Sequence, residues 1–397
     1  MLLFVSTLNL YKGGGMNFKN ELINNVMTFW LPAIDKENGG IFTQLDRTGN
    51  IYGREKSVWF QGRALWTFSK AYNVIEKRNE YLEAAEYIYP FLEKCTDIDG
   101  RMYFTVTEDG RGLQKRRYYF SETFAAIGAM ELYKATGRLD VLAAAERYFD
   151  VAYECYTGKR KNQPKINPEN SKMKALSPVM IMLSTASVMR SGGVNVEKYN
   201  KIATDCAYEI INGGFLTDTA LLESVRADCV FVNTPMGRVV NPGHSMECAW
   251  FLMQEGLVSR DDRLLEAAKR IIDITLKIGV DKNHGGIISF TDVLGYPPTA
   301  LEWDMKLWWP QCEAMIALRV AAEIFDNKEY AKIYEQLLEY TDKHFVDKEC
   351  GEWYGYLHYD NTPSTTLKGN IFKGPFHIPR FLMIMSLMND GKCIADF

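Results

Sequence analysis

A chain of 397 residues that is 47% hydrophobic is long enough for two average domains or one large closed architecture. Its 46 basic side chains against 50 acidic ones leave no positive excess to follow a phosphate backbone, which excludes nucleic acid as a partner, and no run of roughly 18 apolar residues offers a membrane span. The eight cysteines, at 95, 155, 206, 229, 248, 312, 350 and 393, form no Cys-x-x-Cys and no regular spacing, which excludes a disulfide framework or a zinc site and reads as reduced thiols in a cytoplasmic protein.

Residues 1–15, MLLFVSTLNLYKGGG, carry neither the basic flank nor the small-residue cleavage site of a secretory leader and read as a loose tail. No linker interrupts the sequence from Met16 onward, so residues 16–397 are expected to form a single domain. Helix-start signals recur along it. Ser57 opens SVWFQGRALWTFSKAY and Ser121-Glu122 opens SETFAAIGAMELYKATG. Ser177-Pro178 opens SPVMIMLSTASVM, Asn241-Pro242 opens NPGHSMECAWFLM, Pro310 opens PQCEAMIALRVAAEIF and Pro379 opens PRFLMIMSLM. Successive starts lie 57 to 69 residues apart. Ser or Asn as the N-cap and Pro at the first helical position are the physical basis of these assignments.

Between them lie amphipathic helices such as NEYLEAAEYIYPFLEKC, RLDVLAAAERYFDVAYECY, RLLEAAKRIIDITLKIGV and KEYAKIYEQLLEYTDKHF. The first set is apolar and poor in charge, as inner helices would be, and the second suits a half-solvated outer layer. Glycine turns with β-prone flanks follow the outer helices at Gly40, Gly100, Gly214, Gly286 and Gly351 and read as short hairpins. In the remaining unit Gly158 opens a basic loop, GKRKNQPKIN, instead. Six such units predict an all-α fold, an (α/α)6 barrel of twelve helices with short β-hairpins at one end. An open solenoid is the alternative, and inner helices this apolar favour closure.

In such a ring the inner helices all start from one end, and their first turns converge on one mouth. The unusual polar residues of the sequence fall there: Arg63, Glu122, His244, Glu247, Lys306, Glu313, His377 and Arg380. His244 sits in the first turn behind Pro242, where the helix dipole favours a neutral imidazole, and shares a face with Glu247 three residues on. His377 lies just before the last helix in KGNIFKGPFHIPR, with Arg380 in that helix's first turn. Of the other histidines, His284 and His344 read as exposed and His358 belongs to the last hairpin. Each residue also has a plain structural reading. His244 and Glu247 satisfy each other, Glu313 and Glu122 complement helix dipoles, and Arg63 is half of a buried ion pair.

Four segments, VWFQGRALWTFSKAYN, NPGHSMECAWFL, KLWWPQCEAMIAL and KGNIFKGPFHIPRFL, resemble the signature blocks of the N-acylglucosamine 2-epimerase family, also called renin-binding proteins. The resemblance runs from about Met16 onward, and implies an (α/α)6 barrel. It implies a sugar 2-epimerase interconverting N-acetylglucosamine and N-acetylmannosamine, a homodimer, no cofactor or metal needed for the chemistry, and ATP as an activator that is not consumed. Matched motif by motif, it implies Arg63, His244, Glu313, His377 and Arg380 as essential residues. Glu247, Lys306 and Glu122, placed at the same mouth, are expected as further substrate contacts. The loop from Gly158 to Lys174 is where an ATP site would be sought. The residues alone leave other readings open: a cellobiose or mannose 2-epimerase or aldose–ketose isomerase on the same ring, a glycoside hydrolase using Glu122 and Glu313, a metal enzyme using His244 and Glu247, and a binding protein without catalysis.

Overall fold

The computed structural model describes residues 16–115, 119–162, 167, 169 and 172–397; the tail and part of the basic loop lie outside them. The inner helices are Val58–Val74, Phe120–Thr136, Leu176–Arg190, Pro242–Ser259, Trp308–Ile324 and His377–Asn389. The outer layer starts with a segment at 18–33 in which α, π and 3-10 turns follow one another. It continues with Asn79–Lys94, Leu139–Tyr156, Val196–Asn212, Asp262–Ile278 and Lys328–His344. Each inner helix touches the next and the sixth touches the first, so the ring closes. The outer helix Asp262–Ile278 buries one stripe, Leu264, Ala268, Ile271, Ile272 and Thr275, while the inner helix Trp308–Ile324 is buried nearly all round. Each such fully buried large side chain contributes roughly 1.5–3 kcal/mol of burial free energy.

The first and second inner helices meet backbone to backbone. A Cβ on Gly62 would stand 2.4 Å from the carbonyl carbon of Phe124, so only glycine allows the approach that lays Arg63 across the Phe124 ring.

Several helices begin earlier than the sequence signals indicate. Pro178, Pro310 and Pro379 occupy the third helical position rather than the first. Proline is tolerated there because none of the first four N–H groups has an intrahelical partner. The N–H groups that open the first, third and fifth inner helices bond instead to loop carbonyls: Val58 to Phe104 (2.8 Å), Leu176 to Glu223 (3.0 Å) and Trp308 to Gly355 (3.0 Å). Ser121, expected as an N-cap, lies inside its helix and donates to the Tyr103 carbonyl. Asn241 does cap as expected, accepting from the His244 N–H at 3.1 Å.

The glycine turns are closed by single bridges, such as Ile34 with Ile41 and Val280 with Ile287, rather than by full hairpins. The strand before an inner helix pairs with the strand after the next outer helix. Lys56–Ser57 lies antiparallel to Thr105–Val106, Met173–Ala175 to Ser224–Arg226, Val239–Val240 to Thr291–Asp292, and Met305–Leu307 to Tyr356–His358. These ladders tie each unit to its neighbour at the end where the inner helices start.

Two side-chain devices repeat with the units. Gln61 and Gln311 each clamp a glycine turn, accepting from and donating to the backbone of Ile41 and Ile287 respectively. Lys56, Lys306 and Lys368, all fully buried, pair with Asp35, Asp281 and Asp347 at the base of the turns.

Candidate active site

The first three turns of the first four inner helices and the start of the sixth line a cavity of about 330 Å³ at that end of the ring. Its lining includes the charged Arg63, His244, Glu247 and Arg380 together with the apolar Phe120, Phe124, Met180 and Ile181. His377 opens the sixth helix rather than preceding it, between the cavity-lining Phe376 and Arg380, and is 7% exposed. Trp309 packs against both imidazoles, its ring centroid 5.1 Å from that of His244 and 5.8 Å from that of His377.

Each imidazole is held at Nδ1 by a carboxylate. For His377 it is Glu313 Oε1 at 2.9 Å. Glu313 lies in the second turn of its helix, fully buried; its Oε1 also accepts from Arg380 Nη2 (2.7 Å) and its Oε2 from Trp250 Nε1 (2.8 Å). Arg380 Nη2 also lies 3.3 Å from this Nδ1, but its shorter contacts are to Glu313 and Glu247. Because the Glu313 carboxylate can only accept, the 2.9 Å bond puts the His377 proton on Nδ1 and leaves Nε2 without a partner among the described residues. Burial, with Arg380 and Arg63 close by, holds the His377 pKa well below 6.5, so the ring is neutral.

His244 differs from expectation. Its Nδ1 lies 3.0 Å from both carboxylate oxygens of Glu223, not against Glu247. Glu247 is engaged instead by Arg380 Nη2 at 2.6 Å. Burial opposes charging His244, but the carboxylates around it, Glu223 foremost and then Glu247 and Glu313, together outweigh it and raise the pKa to about 9. The ring is therefore cationic near neutrality, where the helix dipole alone would have made it neutral. Glu223 was missed because its contact spans two units. A signal existed: at the corresponding loop positions, whose carbonyls also receive helix-opening N–H groups, the other units place Phe104 and Gly355.

Arg63 forms no ion pair with any described residue, contrary to its structural reading. Its guanidinium lies 4.0 Å from the Phe124 ring centroid and 4.7 Å from that of Phe376, with Nε buried and unpartnered. Burial lowers its pKa to about 9, which leaves it cationic at neutral pH. Glu247, Glu313 and His377 bring potential ligand atoms within 4.8 Å of one another. The cation seated among them is the Arg380 guanidinium, bonded to both carboxylates.

Two expected substrate contacts belong elsewhere. Lys306 is fully buried in the turn-base position of its unit, bound to Asp281 at 2.7 Å and to the Tyr359 carbonyl at 2.9 Å. Glu122 is the second unit's counterpart of Gln61 and Gln311, accepting from the Met102 N–H (2.9 Å) and from Arg101. A carboxylate occupied in this way cannot flank a glycosidic bond with Glu313. His284 and His358 are about half exposed beside Asp281 and Asp304, whereas His344 is half-buried against Tyr340. None of the eight cysteines is paired, and no helix among the described residues is long and apolar enough to cross a membrane.

The same ring occurs in solved sugar epimerases. The cellobiose 2-epimerase of Bacillus thermoamylovorans B4167 matches it with a TM-score of 0.82 over 94% of this chain and 98% of that one, at 20% identity. Together with the sequence relatives, this makes the protein a helical-barrel sugar epimerase, an isomerase by class. The sequence profile described as N-acylglucosamine 2-epimerase (GlcNAc 2-epimerase) matches residues 40–373. The rat N-acylglucosamine 2-epimerase is 34% identical over 375 residues, covering 91% of this chain and 88% of its own. The cellobiose 2-epimerase of Dictyoglomus turgidum is 25% identical over 386 residues, covering 91% and 95%. The chain belongs to the N-acylglucosamine 2-epimerase family.

Proposed function

We propose that the protein interconverts N-acetylglucosamine and N-acetylmannosamine by proton transfer at C2 of the ring-opened sugar. The observation that carries this reading is a pair of imidazoles of opposite protonation, both held at Nδ1 and both against Trp309, His244 lining the cavity and His377 between its lining residues Phe376 and Arg380. Inverting C2 requires a base on one face and an acid on the other. Neutral His377 takes the C2 proton through Nε2, and cationic His244 returns one through its own Nε2. Arg63 and Arg380 stabilise the negative charge that develops on the carbonyl oxygen as the enolate forms. Glu313 orients His377, and Glu247 fixes Arg380.

The N-acyl substrate is supported by 34% identity to the rat enzyme against 25% to the cellobiose 2-epimerase. The apolar side chains of Phe120, Phe124, Met180 and Ile181 in the cavity lining are also suited to an acyl methyl. ATP as an activator, a homodimer and a cytoplasmic location complete the proposal.

Proton NMR of the purified protein in deuterated water, with each amino sugar and with mannose and cellobiose, tests it. The N-acetyl sugars should interconvert with deuterium at C2, and the other two should react about 10–100-fold more slowly or not at all. Faster turnover of cellobiose or mannose would overturn the substrate assignment. Repeating the assay with and without ATP, and measuring mass by light scattering, tests activation and the dimer.

A further inference from the structure

The two carboxylates that hold the imidazoles are not equivalent. Glu313 shares its charge between His377 and Arg380, and donates nothing net to the imidazole that a guanidinium does not offset. Among the described residues Glu223 forms no ion pair with a lysine or arginine, and its one ionic contact is His244, whose Nδ1 lies 3.0 Å from each oxygen. Its place is fixed by the backbone and not by the helix that carries His244. The Glu223 carbonyl accepts from the N–H of Leu176, at the start of the third inner helix. Its own N–H donates to the carbonyl of Val239, just before the fourth. The carboxylate is thus wedged between two helix starts and aimed at the first turn of the second.

We propose that Glu223 is the positioning residue of His244, holding the proton on Nδ1 so that Nε2–H is the acid that faces C2. This rests on the two-histidine reading above. The other charged groups around His244 are Glu247 on its own helix, Glu313 on the fifth inner helix, and His377 on the sixth. Glu247 and Glu313 are bound to Arg380, so the uncompensated negative charge is that of Glu223. The raised pKa of His244, about 9, agrees with this geometry. Glu223 touches the imidazole and not the cavity, so its effect must pass through His244.

The test compares the full chain with Glu223→Gln, Glu223→Asp and His244→Asn. In Glu223→Gln, kcat should fall about 10–100-fold with KM changed less than about threefold. The alkaline limb of its pH profile should move from near 9 toward the ordinary histidine value of about 6.5. Glu223→Asp should recover part of both. A pH profile in Glu223→Gln that superimposes on the wild type would overturn the proposal. Histidine-labelled NMR gives a reading independent of the variants' yield: the signal missing from His244→Asn should titrate near 9 in the wild-type protein, and titration at or below about 6.5 would overturn it too. If His244→Asn itself leaves C2 exchange intact, the two-histidine reading fails. If only the pH profile of Glu223→Gln is unmoved, the role of Glu223 fails alone.

Discussion

The niches of His377 and His244 are built from the same parts and arrive at opposite charges. Both imidazoles bond a carboxylate through Nδ1, both lie against Trp309, and both sit in the first turn of an inner helix. The difference is a guanidinium. Arg380 neutralises Glu313 and presses its own charge on His377, while Glu223 meets no such cation among the described residues. A histidine–carboxylate pair therefore does not fix a protonation state by itself; the charge of the pair's other neighbours decides it.

Four measurements break or sharpen this contrast. The largest effect is expected from His377→Asn, which removes the base. Epimerisation and C2 exchange in deuterated water should fall about 10³–10⁴-fold, and retained exchange would leave His377 without a role at C2. Next, Glu313→Gln strips the charge from a buried carboxylate that also serves Arg380 and Trp250. It should lose activity about 100-fold and also about 3–5 kcal/mol of stability in thermal or denaturant unfolding. Glu223, whose side chain is 16% exposed and serves His244 alone among the described side chains, should cost less stability when changed the same way, so equal destabilisation of the two variants would erase the contrast.

The third measurement is the pH profile of the wild-type protein. His244 is raised to about 9, so its acid form is present below that pH and lost as pH rises through it. His377 is lowered well below 6.5, so its basic form is present above that depressed value and lost only as pH falls through it. Activity should form a plateau from the weakly acidic range to near pH 9; a narrow optimum at about 6.5 would mean both rings titrate normally. The smallest catalytic effect is expected from Lys306→Met. It should lower the melting temperature by leaving Asp281 unpaired, while kcat stays within about twofold. A tenfold loss of kcat in folded protein would return Lys306 to the site.

The ring was legible because its cause is periodic. Helix starts at nearly constant spacing, with apolar inner and amphipathic outer stretches between them, leave little besides closure. The converging rim was legible for the same reason, and His244, His377, Glu313, Glu247, Arg63 and Arg380 do meet there. Side-chain partners were not. Glu247 shares a helix face with His244, yet spacing only permits contact, and the sixth helix claimed that carboxylate. Lys306 and Glu122 stand at the right end of the ring but point into glycine turns, as Lys56 and Gln61 do in the first unit. Aligning the units against one another, residue by residue, separates such repeated scaffolding from residues that occur once, and Glu223 belongs to the second kind.

In the proposed two-histidine mechanism, the unequal histidines give the catalyst a memory of its last reaction. A turnover that begins with His377 neutral and His244 charged ends with those charges exchanged. The next molecule of the same sugar then finds the wrong form until water carries a proton from one ring to the other. With one ring a strong acid when charged and the other a good base, that reset runs downhill after one direction of epimerisation and uphill before the reverse. In that mechanism a reset slower than C–H cleavage would set the pace in one direction at high turnover, and the solvent would be a reactant in the cycle.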